Sequence, residues 1–432
     1  MAFEMDEMNK RAQERQQRRE ARQRKERLNR IRLLVAVGIL AACGVLILVT
    51  SLGGPPEVTM PSETQEVLQT QETTLPPETT APATTQPVKF QEQTVITFAA
   101  AGDLNITDKV VASGGANYDY TAAFMDVLPL LAEADLTALN FEGNVCGAPY
   151  GKDSAPQQLL EALRAAGVDM LQLANSKAIN RGVSGLNTTV KSVRAADMAA
   201  VGAVAEGEAP GAYVIRYVSG IKVAVVAFTK GMDGMAMPLG SENLVNLLYS
   251  DYASTYKKVD TKAITELLRK VQSEEPDITI AMLHWGSEYS DVHSDSQKSI
   301  QKLMFKEGVD AIIGSHPHYV QEMVFDEAAG TFVAYSLGDF FGDATRSGTA
   351  YSVVLKLEIT KDNTTGITKV TGFSYTPIYT VEDDMGNLRV VRLREAVDAY
   401  KDARVGHVTE ATFNDMVYGL DRLEKRINPV TE

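Results

Sequence analysis

Apolar and polar positions change their period several times along the chain, and each change predicts an element. Ile278 to Leu283 and Ala311 to Ile313 are short unbroken apolar runs with β-branched content, the pattern of parallel strands buried on both faces. Between them, Gln297 to Glu307 sets Ile300, Leu303 and Met304 at helical spacing, so the stretch reads strand, helix, strand. Both strands of such a unit point the same way. His284 after the first and His316 and His318 after the second should therefore emerge at one sheet edge, where open α/β sheets place their sites.

The same reading upstream predicts strands at Val95 to Ala101, from Leu136 to Glu142, and at Val168 to Ala174. Helices are predicted at Tyr120 to Ala132, Pro156 to Ala166 and Leu186 to Ala196. Ala212 to Val218 and Lys222 to Phe228 read as paired strands around Ser219-Gly220, and Lys262 to Val271 as an amphipathic helix. Downstream come strands at Val320 to Phe325, Phe332 to Ser336, Ser352 to Ile359 and Gly366 to Tyr379, then helices at Arg394 to Ala403 and Glu410 to Arg426. Strands alternating with helices first, and β-rich pairs later, predict two stacked sheets with helices outside.

The first ninety residues have a different pattern. Leu33 to Leu52 is uncharged and apolar, and as a helix rising ~1.5 Å per residue it would span ~30 Å, one hydrocarbon core. The preceding residues 1–32 hold eleven Lys/Arg against six acids and are expected to stay cytoplasmic, placing the rest outside the cell. A cleaved signal peptide has a shorter apolar core, and a lipidated cysteine at Cys43 would be followed by polar linker. An uncleaved anchor is the favoured reading. Residues 53–92 are Thr/Pro/Glu-rich without apolar periodicity, the composition of a stalk that buries no core. The expected organisation is a basic segment 1–32, an anchor 33–52, a linker 53–92, a globular domain 93–380 and a helical extension 381–432.

Net charge is −14, and the 400 residues after the basic segment carry 31 basic and 50 acidic groups. Such an ectodomain is not expected to hold nucleic acid or an anionic polymer by net charge alone. Cys146 is the one cysteine outside the apolar segment, so no disulfide forms within the globular part.

Strand ends supply, in order, Asp103, Glu142, Asn175-Ser176-Lys177, His284, and His316 with His318. Carboxylates and imidazoles converging from several strand ends suit a divalent metal ion, which neutralises charge and activates water in phosphoester hydrolysis. Trp285 either lines a substrate pocket or packs over the strand end, and Glu288 either acts as a base or orients His284.

Gly102-Asp103, Ala134-Asp135-Leu136 with Asn140-Phe141-Glu142, Leu173-Ala174-Asn175, His284-Trp285-Gly286-x-Glu288-Tyr289, Gly314-Ser315-His316-Pro317-His318 and Tyr335-Ser336-Leu337-Gly338 occur in that order. Together they resemble the CapA-like bacterial capsule-synthesis family, implicated in poly-γ-glutamate production, over about residues 94 to 345. The resemblance implies the four-layer α/β/β/α sandwich of calcineurin-like metallophosphoesterases, here preceded by one membrane helix and a disordered stalk. It places Asp103, Glu142, His284, His316 and His318 on metal positions; Asn140, Asn175 and Trp285, in the same motifs, are the residues expected to meet substrate. It also implies a membrane-tethered external domain working with polymer-synthesis membrane subunits on an anionic polymer or a phosphoester.

The sequence departs from the family where catalysis would depend on it. The family's Ala-Asn-Asn-His is Ala174-Asn175-Ser176-Lys177 here, a following Asp is Asn180, and the Asn of Gly-Asn-Phe is Asp339. Serine is a poor ligand, and an ammonium repels a nearby dication. In the favoured reading Lys177 pairs with Glu142 or Asp103 in place of a lost metal or imidazole, and the site binds at most one divalent ion, rather than two, and hydrolyses poorly. In the other, Lys177 grips an anionic substrate; a lysine on a surface loop is the plain alternative. The expected function is an accessory role in making, exporting or anchoring an anionic capsule polymer, with an active surface hydrolase and a non-catalytic scaffold as alternatives.

Overall fold

The computed structural model describes residues 92–427, except 345, 384 and 402–407. The expected basic segment, membrane anchor and all but the last residue of the stalk lie outside the described residues. No helix among the described residues is long and apolar enough to cross a membrane.

Fourteen strands among the described residues form two mixed sheets. The first contains β1 (Gln93–Asn105), β2 (Leu136–Glu142), β3 (Met170–Gln172), β4 (Ala199–Val201), β11 (Asp339–Phe341), β12 (Tyr351–Asp362), β13 (Thr368–Glu382) and β14 (Leu388–Arg392). Its order is β14-β13-β12-β1-β2-β3-β4, with β11 also paired to β1. The second contains β5 (Tyr213–Val218), β6 (Ile221–Thr229), β7 (Ile278–His284), β8 (Ala311–Ser315), β9 (Met323–Asp326) and β10 (Thr331–Ala334), in the order β5-β6-β7-β8-β10-β9. β1 to β4 are mutually parallel, as are β6, β7, β8 and β10.

Side-chain alternation decides the layering of the second sheet. Val223, Val225 and Ala227 of β6 and Ile278, Ile280 and Met282 of β7 join the large core shared with the first sheet. Their alternates Ala224, Val226, Phe228, Ala281 and Leu283 pack with Ile264 and Leu268 of one helix and Ile300 and Met304 of another. Those helices are α6 (Thr261–Ser273) and α7 (Asp295–Lys306), counted after α1 (Asp108–Ala112), α2 (Thr121–Phe124), α3 (Leu128–Ala132), α4 (Gln157–Ala165) and α5 (Gly182–Ala195). With both strand faces buried, β7 reads as the continuous apolar run that betrayed it in the sequence. Leu159, Leu163, Val190 and Val193 of α4 and α5 pack into the core of the first sheet.

Most elements fall where the apolar period predicts them, and the differences have local causes. The expected helix Tyr120 to Ala132 is two short ones, α2 and α3, with Pro129 in the first turn of the second, where its missing N–H costs nothing. The strand expected at Val168 to Ala174 is ordered as a ladder only over Met170–Gln172. Short strands β4, β11 and β14 were not predicted, because three to five residues are too few to show a period. The hairpin at Ser219-Gly220 forms with both residues at positive φ, the two-residue turn whose twist matches its strands.

The boundary expected at residue 380 is not a break in the fold. β14 pairs with β13 from Ile378↔Arg392 to Glu382↔Leu388. Of the two C-terminal helices, α8 (Leu393–Lys401) and α9 (Glu410–Ile427), the second lays Gly419 against the ring of Tyr351 on β12. The segment 381–432, expected as a helical extension, thus contributes a strand and a packed helix to the first sheet.

Candidate functional site

The histidines do share one sheet edge, but the carboxylates come from the other sheet. His284 ends β7, directly opposite Ser315 at the end of β8. Asp103 lies on β1 with Asn140 of β2 on one side and Asp339 of β11 on the other. Glu142 ends β2, opposite Asn105. The site therefore sits where the carboxyl ends of parallel strands from both sheets meet.

The turn after β8 is strained. His316 and His318 both have positive φ, 94° and 60°, on either side of Pro317. Non-glycine residues rarely hold such a conformation, and they hold it here because the surroundings dictate it. The His316 backbone N–H donates to Asp103 Oδ2 at 3.0 Å, tying the turn of the second sheet to the first.

Around this tie the polar side chains form one network. Asn140 Nδ2 donates to Asp103 Oδ1 (2.8 Å) and to Glu142 Oε1 (3.0 Å), while its own oxygen accepts from Asn175 Nδ2 (3.0 Å). His284 Nε2 lies 2.9 Å from Glu142 Oε1, and its Nδ1 is 3.2 Å from Thr229 Oγ1. Ser176 Oγ donates weakly to Glu142 Oε2 at 3.4 Å. His318 Nδ1 is 2.7 Å from Asp339 Oδ1 and 3.7 Å from Asp103 Oδ2.

Charge and burial set the protonation. Burial, then the neighbouring Glu142, drive the Asp103 carboxyl well above the ordinary range. Burial likewise raises Asp339, although His318 works against it. Burial also opposes a charge on Glu142, but His284 at hydrogen-bond distance, with His318 and Lys177, holds it down at about 2. His318 is pushed up to about 11: burial disfavours the imidazolium, and Asp339, Glu142 and Asp103 overcome it. Burial takes His316 the other way, well below its ordinary value, with His284 and Lys230 adding to the effect.

The structure thus brings Asp103, Glu142, His284, His316 and His318 together, and sorts them differently from the single metal set expected. Among the described residues, the group whose ligand atoms all lie within 4.8 Å of one another is Asp103, His318 and Asp339, all buried. Glu142 is hydrogen-bonded to His284 instead, and the ring centroids of His284 and His316 lie 4.4 Å apart. Asp339 was visible in the sequence only as a departure from a family pattern. Its place in the cluster follows from β11 pairing in register with β1, which no local pattern announces.

Several expected roles need correction. Asn140 and Asn175, read as substrate-binding, are buried and spend their amides on the carboxylates, on each other and on Phe141 O. Trp285 is not at a pocket. It is fully buried in the core between the second sheet and its helices, donates Nε1–H to Tyr335 O at 2.9 Å and stacks on the Tyr335 ring. Glu288 does not orient His284, whose two nitrogens face Glu142 and Thr229; it is exposed on the rim of a cleft. Lys177 does not pair with Glu142 or Asp103 but donates to Asp233 Oδ2 at 2.6 Å. Burial works against that ammonium, and Asp233 more than restores it.

The cleft holds about 280 Å³ and opens beside His316, with Ser176, Asp233, Glu288 and Tyr256 in its walls. Its basic residue is Lys230, which sequence reasoning missed. Lys230 Nζ donates to Gly286 O (2.8 Å), lies 3.3 Å from His316 Nε2, and sits 4.7 Å over the Tyr256 ring. Burial lowers it somewhat, while Glu288 and Asp233 favour its charge. The one signal for it was its position, next after the buried strand β6.

The family model described as bacterial capsule synthesis protein PGA_cap matches residues 97–344, more than half of the chain. The chain belongs to this family. All five expected metal positions and Asp339 fall inside the matched region. Among similar proteins, "Capsule biosynthesis protein CapA" of Bacillus anthracis is 28% identical over 296 residues, covering 66% of this chain and 68% of the relative. "PGA biosynthesis protein CapA" of Bacillus subtilis (strain 168) is 25% identical over 324 residues, covering 72% and 80%. Among solved structures, the calcineurin-like phosphoesterase YfkN of Bacillus subtilis aligns with 76% of this chain and 99% of its own at 18% identity, with a TM-score of 0.41. A phosphatase from Mycoplasma pneumoniae aligns with 66% and 94% at 14% identity and a TM-score of 0.40. Likeness of that degree says nothing of activity.

The donor set of the Asp103, His318 and Asp339 cluster fits a divalent cation: two carboxylate oxygens and an imidazole nitrogen, buried and mutually close. An ion held there would supply Lewis-acid chemistry and a fixed positive charge for an anionic ligand. Asn140 donates to one oxygen of the Asp103 carboxylate, and the His316 backbone N–H holds the other. The carboxylates of Asp103 and Asp339 both face His318, and an ion held between them would offset their mutual repulsion.

Proposed function

We propose that this chain is a membrane-anchored, extracytoplasmic accessory protein for making, exporting or anchoring an anionic capsule polymer of the poly-γ-glutamate type. The carrying observation is the family match over residues 97–344, which contains the whole convergent site. The two CapA relatives support the polymer by their names, and the apolar segment 33–52 after a basic stretch supports the anchor. Polymer-synthesis membrane subunits are its expected partners. The metal site is weakened: Ser176 and Lys177 stand where the family carries Asn and His, and the compact ligand cluster among the described residues has three members.

The experiment is removal of the chain from the cell that makes it. Surface polymer, extracted from washed cells, freed of protein with protease and then measured as glutamate after acid hydrolysis, should fall at least tenfold and return with the intact gene. Unchanged polymer refutes the reading. The alternative, an active hydrolase, is favoured by the buried Asp103, His318 and Asp339 set. It predicts metal-dependent turnover of a model phosphodiester that Asp103→Asn abolishes.

A further inference from the structure

Two halves of the site differ in what already occupies them. On one side Asp103, His318 and Asp339 bring three ligand atoms within 4.8 Å of one another. On the other, Glu142, His284 and His316 are close but do not form such a group among the described residues. Glu142 and His284 satisfy each other at 2.9 Å, and the His316 Nε2 that remains has the Lys230 ammonium 3.3 Å away.

Lys230 is not a wandering surface cation. It follows β6 directly, its backbone N–H donates to His284 O at 2.8 Å, and its ammonium donates to Gly286 O. The Tyr256 ring lies under the charge. Three contacts therefore hold one positive charge in front of His316, an imidazole that the family resemblance places on a metal position. An imidazole nitrogen has a single lone pair, and one that accepts a hydrogen bond from an ammonium has none for a metal. Like charge at that range also repels a dication in a partly buried site.

We infer that Lys230 takes the place of the second cation of a two-ion centre, so that this chain holds a single divalent ion, between Asp103, His318 and Asp339. Lys177, the lysine the sequence brings forward, acts on Glu142 only by charge at a distance: its ammonium donates to Asp233, and it is Lys230 that reaches the His316 nitrogen. The inference rests on the weakened-site reading of the proposed function and names the side chain that does the weakening.

The test counts metal. The full chain is loaded with excess Mn²⁺, desalted, and its ions per chain are measured by mass spectrometry of the element. The wild type should hold one ion, Lys230→Met two, and Lys177→Met one. Two ions in the wild type overturn the inference, as does a folded Lys230→Met that still holds one, or a wild type that holds none. Lys230→Leu, which likewise removes both the charge and the donor, replaces the methionine variant if that fails to fold, and the wild-type count needs neither. A wild type with two ions in cells that lose polymer on deletion sinks the inference and spares the functional reading. A wild type with one ion in cells whose polymer is unchanged does the reverse.

Discussion

Gly102 is where the chain crossing from the second sheet back to the first passes over β1, and a methyl group there has no room. A Cβ built on Gly102 would lie 1.8 Å from Gly338 O and 2.8 Å from Gly338 C, both backbone atoms that cannot rotate away. The same carbonyl accepts the Asp103 backbone N–H at 2.9 Å. Gly102→Ala must therefore push the Gly338 carbonyl aside, break that bond and shift Asp339 against Asp103, its partner across β1 and β11. Overpacking of this kind costs about 1–3 kcal/mol and a lost backbone hydrogen bond about 1 kcal/mol more, so the expected loss is about 2–4 kcal/mol. Urea unfolding followed by the fluorescence of Trp285, the single tryptophan and fully buried, reads this directly. Metal affinity should fall in the same variant, because two of the three clustered ligands move apart. A loss under about 0.5 kcal/mol with unchanged metal binding would refute the close crossing and the account of the site built on it.

Three further outcomes are expected. Trp285→Phe leaves the buried Tyr335 carbonyl without its donor and should cost about 1–3 kcal/mol by circular dichroism, with metal content unchanged; loss of metal would return Trp285 to the site. Lys177→Ala breaks a partly exposed pair with Asp233 and should cost under about 1 kcal/mol, since solvent screens such pairs; a larger loss would mean that Lys177 braces Glu142 after all. Asp251 accepts from the Thr255 hydroxyl and from the backbone N–H of Lys258 and Lys257, and its pKa is depressed from 3.8 to about 2. A depressed carboxyl adds stability above its unfolded value, and that contribution disappears as pH falls through about 2. Asp251→Asn should therefore unfold at lower urea than wild type at pH 7, and the gap should close near pH 2. A gap that persists there would place the effect in the turn's shape rather than in its charge.

The sequence alone determined the elements long enough to show a period and the residue types that end them. Both faces of β7 and β8 are buried, so their apolar runs are unbroken, and histidine at the end of each stood out against that background. The motifs determined the family for a related reason: a site at several strand ends leaves short, ordered words in the chain. Tertiary structure decided what those words do. Whether Glu142 faces a metal or His284, whether Trp285 lines a pocket or fills a core, and which lysine stands at the imidazoles depend on contacts between two sheets. Asp103 and Asp339 are 236 positions apart in the chain and adjacent only through the pairing of β11 with β1. Lys230 meets His316 because β6, β7 and β8 lie side by side in register. Periodicity reports which face of its own element a residue occupies, and nothing about which side chain from the rest of the fold arrives opposite it.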